Sequence, residues 1–197
     1  MLCCAVGAIG SVLFPSHAQV IHTANVTTQP TMTPSAPTLG GTIADFQQRY
    51  GAATDSSGLM YAATIAGQRV LITLTLDDPS ASQDGQQRVA ILAVQVPGDA
   101  LGAETWSQST ADQIAQTFLP ADAQFQHIVT TAKVHDHVYQ SATLAQTFTA
   151  DQFTNDFNDF GNAPVPAGTL SYSCHPWPPS MSGLGQCLIA IGSYAAP

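Results

Sequence analysis

From Val70 the chain alternates without a break. Val70, Ile72, Leu74 and Leu76 fall on one side, and Leu71, Thr73 and Thr75 on the other. A period of two is that of a strand with one buried face. Just upstream, Leu59, Tyr61, Ala63 and Ile65 alternate in the same way. Gly67-Gln68 lies between the two runs and predicts a two-residue turn in which glycine supplies the positive φ. The two runs therefore read as a hairpin. Residues 77–87, with Pro79 and Gly85, read as a polar loop. Residues 89–96 are apolar on both faces, which predicts an interior strand. Further strands are predicted over 128–134, 138–148, 169–174 and 186–194.

Between the strands the period changes to that of a helix. Ile43, Phe46 and Tyr50 form one stripe after Thr42, a residue suited to an N-cap. Asp45 sits in the first turn, where the helix dipole favours a negative charge. Gly51 can adopt the left-handed conformation that ends a helix. The same spacing recurs after Thr110 (Ala111, Ile114, Phe118) and after Thr149 (Ala150, Phe153, Phe157), each with an acid close by, Asp112 and Asp151. The recurrence reflects either an internal duplication or the convergence of short amphipathic helices on one pattern. About seven strands and three short helices predict an α+β domain over residues 42–197, its antiparallel sheet covered on one side.

A helix ending Phe46-x-x-x-Tyr50-Gly51, then a hairpin and a third strand, resembles a known arrangement. It is similar to the small helix-plus-antiparallel-sheet domains of bacterial extracytoplasmic lipoproteins and of β-lactamase inhibitor proteins. The resemblance covers residues 42–97 and implies a protein-binding role. It carries over no functional residue, and the lipid-attachment cysteine of the lipoproteins has no counterpart here.

The N-terminus has a different character. Residues 2–14 form an apolar run, LCCAVGAIGSVLF, too short for the ~20 residues that span a bilayer. It fits the hydrophobic region of a secretory signal, and Ser16-His17-Ala18 predicts cleavage after Ala18. No Lys or Arg precedes the run. The start lies upstream, or the terminal amine supplies the charge, or the segment stays uncleaved as a membrane anchor. Residues 19–41 are rich in Thr, Pro, Ser and Ala and read as a disordered tether. Asn25-Val26-Thr27 within it matches a glycosylation sequon.

Composition agrees with export. Charged residues make up 9% of the chain, against about 25% in ordinary soluble proteins. The net charge is −9, and the only basic residues are Arg49, Arg69, Arg88 and Lys133. So few cations cannot neutralise a phosphate backbone, which excludes nucleic acid as a partner. An anionic membrane surface is excluded on the same ground. With Cys3 and Cys4 removed in the signal, Cys174 and Cys187 remain and are expected to pair in an oxidising compartment. Their spacing is not that of a C-x-x-C redox pair.

The cysteines bracket HPWPPSMSGLGQ, in which prolines stiffen the first half and glycines relax the second. Trp177, with His175 and Met181, either forms a recognition surface, since Trp is enriched at binding hot spots, or folds back as a lid on the sheet edge. His135-Asp136-His137 is the sharpest chemical constellation. On a strand, His135 and His137 face the same way as Lys133 and Tyr139. Two imidazoles at that spacing can share a metal if His127 or an acid completes the set. Otherwise the segment is an exposed polar strand end, and Lys133 disfavours a cation. There is no nucleophile elbow, no phosphate-cradling glycine loop and no cofactor signature. Asp151, Asp156 and Asp159 are accounted for by capping and solvation. The chain is thus expected to be a secreted or surface-tethered non-enzymatic domain binding a protein or envelope component. The alternatives are a metal-binding protein or metal-dependent enzyme centred on His135 and His137, and a structural spacer.

Overall fold

The computed structural model describes residues 37–77, 87–98, 105–130, 135–153, 165–177, 179 and 182–192. The expected signal, the first part of the tether, Lys133 and Met181 lie outside them.

Helix α1, Ile43–Tyr50, forms where local chemistry asks for it. The Asp45 N–H donates to Thr42 Oγ1 at 3.3 Å and the Thr42 N–H donates to Asp45 Oδ2 at 2.7 Å, a closed capping box. Gly51 ends the helix at φ 84°. Strands β1, Met60–Ile65, and β2, Gln68–Leu76, pair as the expected hairpin. The turn itself is Ala66-Gly67 rather than Gly67-Gln68. Both residues have positive φ (49° and 76°), as a type I′ turn requires. Strand β3, Val89–Gln95, pairs with β2 and is interior, as its two apolar faces demand.

The next helix, α2, Gln108–Gln116, is capped by Ser107 rather than Thr110. The Ser107 side chain accepts from the Thr110 N–H, so the cap lies three residues earlier than expected. Strands β4, Gln124–Thr130, and β5, His135–Gln140, follow. The continuous strand expected over 138–148 does not form. Ser141 turns the chain and caps α3, Ala142–Thr147, and a 3₁₀ turn, Ala150–Phe153, follows Thr149 at the end of this described stretch. Phe157, the last position of the third helix expected in the repeat, lies outside the described residues. Strands β6, Thr169–Pro176, and β7, Leu184–Ile191, complete the fold.

The sheet is antiparallel with order β1-β2-β3-β7-β6-β5-β4, so β1 and β4 are its edges. Among the described residues, three α-helices and one disulfide complete an α+β fold. Helix α2 lies over β7 and β6, and α1 beside β1. Residues aligned across the strands make rows on this covered face. One row runs Leu74, Leu92, Ile189, Tyr172, His137, Ile128. Its neighbour runs Ile191, Leu170, Tyr139, Phe125. Phe46, Tyr61, Ile114, Phe118 and Leu144 fill the core with them, each fully buried. The packed chain begins before Thr42: Leu39 is buried and its N–H donates to the Phe118 carbonyl, while the Gly40 N–H donates to Val89. The last residues assigned to the tether thus belong to the domain.

Candidate functional site

Cys174 and Cys187 are bonded, directly opposite one another on β6 and β7 with Cα atoms 4.0 Å apart. Cys187 is fully buried under α2, its sulfur 3.5 Å from the Ala111 carbonyl oxygen. The strands run past the cystine, to Pro176 and back from Leu184, so residues 177–183 alone connect them. Of the twelve residues expected as a presented loop between the cysteines, five belong to the ladder and seven, 177–183, connect the strands.

This shortening decides where the predicted contact residues sit. His175 lies on the face away from the helices, and its Nε2 is 2.7 Å from Gln186 Oε1. Gln186 in turn donates to Gln95 Oε1 at 3.1 Å, which ties β6, β7 and β3 together. Trp177 is half-buried, and its backbone packs over Gly185, where a Cβ would come within 2.9 Å of the Trp177 carbonyl oxygen. Trp106, which the pattern did not single out, is buried beside this connection, and its backbone N–H donates to the Leu184 carbonyl at 2.7 Å.

His135 and His137 do share one face of β5 with Tyr139, as an alternating strand requires. Each is already engaged. His135 Nδ1 is 3.1 Å from the Thr130 hydroxyl. The His137 ring lies 4.6 Å from Tyr172 and 6.5 Å from Phe125, centroid to centroid. His127 pairs with Val138, so it points to the opposite face and cannot join them. Among the described residues no group of three or more His, Cys, Asp or Glu side chains converges on a point.

The structure instead draws attention to β4. The ladder slips between Phe125 and His127, leaving Gln126 as the extra residue of a β-bulge. Phe125 stands opposite Tyr139 and Ile128 opposite His137, neighbours on one face of β5. The bulge thus puts two apolar side chains three positions apart onto the same side. They are the exposed large hydrophobics of the described residues, at 53% and 50%. Behind them is an aromatic stack: Phe125 meets Tyr139 edge-on at 5.5 Å, and Tyr139 stacks on Tyr172 at 5.9 Å. Burial holds the Tyr172 hydroxyl above the ordinary phenol range, with Tyr139 and Asp112 adding to the effect. That hydroxyl donates to Asp112 Oδ1 at 3.3 Å, so the stack is anchored to α2. At the near end of β4, Asp122 accepts from the Ser141 hydroxyl and the Thr143 N–H, both at 2.8 Å. Partial burial works against its charge, but these bonds prevail and hold its carboxyl below the usual range.

Between residues 124 and 130 there is no Asp, Glu, Lys or Arg. An outer strand without charge is what proteins ordinarily avoid, because its unpaired backbone groups can template another strand. Among the described residues, β4 combines aromatic support, an apolar pair and a ladder edge that no further described strand pairs. No family model, no curated protein and no solved structure matches the chain.

Proposed function

We propose that this is an exported, non-enzymatic domain that binds another protein along the β4 edge. The observation that carries the reading is the pair Phe125 and Ile128, about half exposed on an uncharged edge strand. Exposed apolar groups that continue the core are a mark of interaction surfaces. Strand addition to an open edge is a common way to use one, with main-chain bonds giving affinity and side chains giving selectivity. Export is supported by the apolar run at residues 2–14 and by the cystine, a bond typical of oxidising compartments. The resemblance of residues 42–97 to extracytoplasmic protein-binding domains points the same way. No helix among the described residues is long and apolar enough to cross a membrane.

The test compares three immobilised proteins against an extract of the compartment they occupy. These are the unaltered chain, the Phe125→Ser/Ile128→Ser variant, and a chain with residues 177–183 replaced by a short Gly-Ser connection. The edge variant is expected to lose specific capture, while the shortened loop keeps it. The opposite pattern, capture lost with the loop and kept by the edge variant, would return the site to Trp177.

A further inference from the structure

We infer that the occupant of the β4 edge is a second copy of this chain, paired antiparallel about a two-fold axis. The inference rests on the reading of β4 as a docking edge, and names the partner. Its first support is self-complementarity. A two-fold axis perpendicular to the sheet keeps the same face uppermost in both copies. Placed between Phe125 and Ile128, it sets each copy's Phe125 against the other's Ile128. All four side chains then lie on the face where the bulge has gathered them. The apolar rows that run out at Phe125 and Ile128 continue into the same rows of the second copy.

The second support is charge. Each chain carries −9, so two copies repel over most of their surfaces. Residues 124–130 have no charged side chain of the acid or basic type, so the ladder itself opposes no like charges. At physiological salt the remaining repulsion is screened beyond about 8 Å. The other edge, β1, offers no such surface: its outward residues are Met60, Ala62 and Thr64, and none is among the exposed large hydrophobics.

The third consideration sets the strength. One strand pair with four apolar side chains lies at the small end of protein interfaces, below about 1,200 Å² of total buried surface. The dimer is therefore reversible and concentration-dependent, not obligate. It also closes on itself: once the two β4 strands have paired, neither is left to recruit a third copy.

The experiment is sedimentation velocity on the full chain over a wide concentration range, beside the Ile128→Lys variant. Near-ultraviolet circular dichroism confirms that the variant, altered at a half-exposed position, keeps its fold. The unaltered chain is expected to shift toward a species of twice the monomer mass as concentration rises. Each substitution occurs twice in a two-fold interface. A tenfold loss per copy therefore raises the dimer Kd about a hundredfold in Ile128→Lys. Amide exchange is read in parallel, and the N–H groups of β4 that point away from β5 should become more protected with concentration. A chain that stays monomeric, or a dimer that forms equally well in Ile128→Lys, overturns the inference. If the monomeric chain still captures another protein and the Phe125→Ser/Ile128→Ser variant does not, self-pairing fails while the docking edge stands.

Discussion

Removing the cystine by Cys174→Ala/Cys187→Ala tests how the two halves of the sheet are held together. The bond spans a sequence separation of 13 residues. For a loop of that size the chain-entropy relation gives about 3 kcal/mol of stabilisation, through restriction of the unfolded chain. The sulfur of Cys187 adds a second effect, because it is fully buried beneath α2 and its loss leaves unfilled space. Small buried deletions of this kind cost about 1 kcal/mol, for a total of about 4 kcal/mol. A domain of this size loses about 2–4 °C of Tm per kcal/mol, so the variant should melt about 8–16 °C lower. Reducing the unaltered protein opens the bond without deleting the sulfurs and should show only the entropic part. Guanidinium titrations with and without reductant give the comparison, read as the change in free energy from midpoint and slope together, since opening the bond lets the unfolded chain expand. Peptide mapping confirms the redox state at both positions. An unchanged free energy of unfolding after confirmed reduction would refute the loop-closure reasoning.

Other substitutions probe the elements that place β4 and β5. Gly168→Ala puts a Cβ 2.3 Å from the Ser141 carbonyl oxygen at a residue with φ 87°. Backbone sits on both sides of that clash, so a loss of about 2–4 kcal/mol is expected in urea, and a neutral result would mean that the β5–β6 corner relaxes freely. Asp122→Ala removes two hydrogen bonds at the start of α3 and should cost about 1–2 kcal/mol near neutral pH. Because its folded pKa is depressed, Asp122 contributes above the unfolded carboxyl pKa near about 4 and ceases to as pH falls through the folded value; the variant's acid limb should be shallower. Tyr172 has the opposite sign: its raised pKa gives stability that is whole below about pH 10 and is lost as pH rises past it. Tyr172→Phe should flatten the alkaline limb by up to one proton's slope, leaving a remainder from Tyr50 and Tyr61, whose burial raises them too.

What could be read from the chain was what neighbours in sequence decide. The Thr42–Asp45 capping box and the alternation of β2 are local, and both appear where the pattern puts them. The cystine was legible because two cysteines on adjacent predicted strands leave little choice. The failures have either a distant partner or a local choice that the pattern does not decide. Helix α3 buries only Leu144, too little to show a period, and its start is fixed by Asp122, 19 residues upstream. The α2 cap moved to Ser107 because either hydroxyl fits the local sequence. At the hairpin, Ala66 accepts a positive φ that alternation alone assigns to glycine at the next position. Strand β4 was placed too late because Phe125-x-x-Ile128 has a spacing of three, which no regular strand produces.

That spacing bears on why the surface is as it is. In an unbulged strand, His127 would stand beside Phe125 on the covered face and Ile128 would point to the other side. The extra residue, Gln126, reverses this and brings Ile128 next to His137. Bulges often protect edges by twisting them out of register. Here the same device gathers apolar area at the edge. Full burial of an Ile or Phe is worth about 1.5–3 kcal/mol each, and at about half exposure much of that is unrealised. Glutamines at Gln124 and Gln126 show that the strand tolerates polar side chains. Monomer stability and solubility alone would therefore favour polar residues at 125 and 128 as well. The unrealised burial is recovered when a second apolar surface covers the pair. The stack of Tyr139 on Tyr172, tied to α2 through Asp112, keeps the pair from collapsing inward to recover it alone.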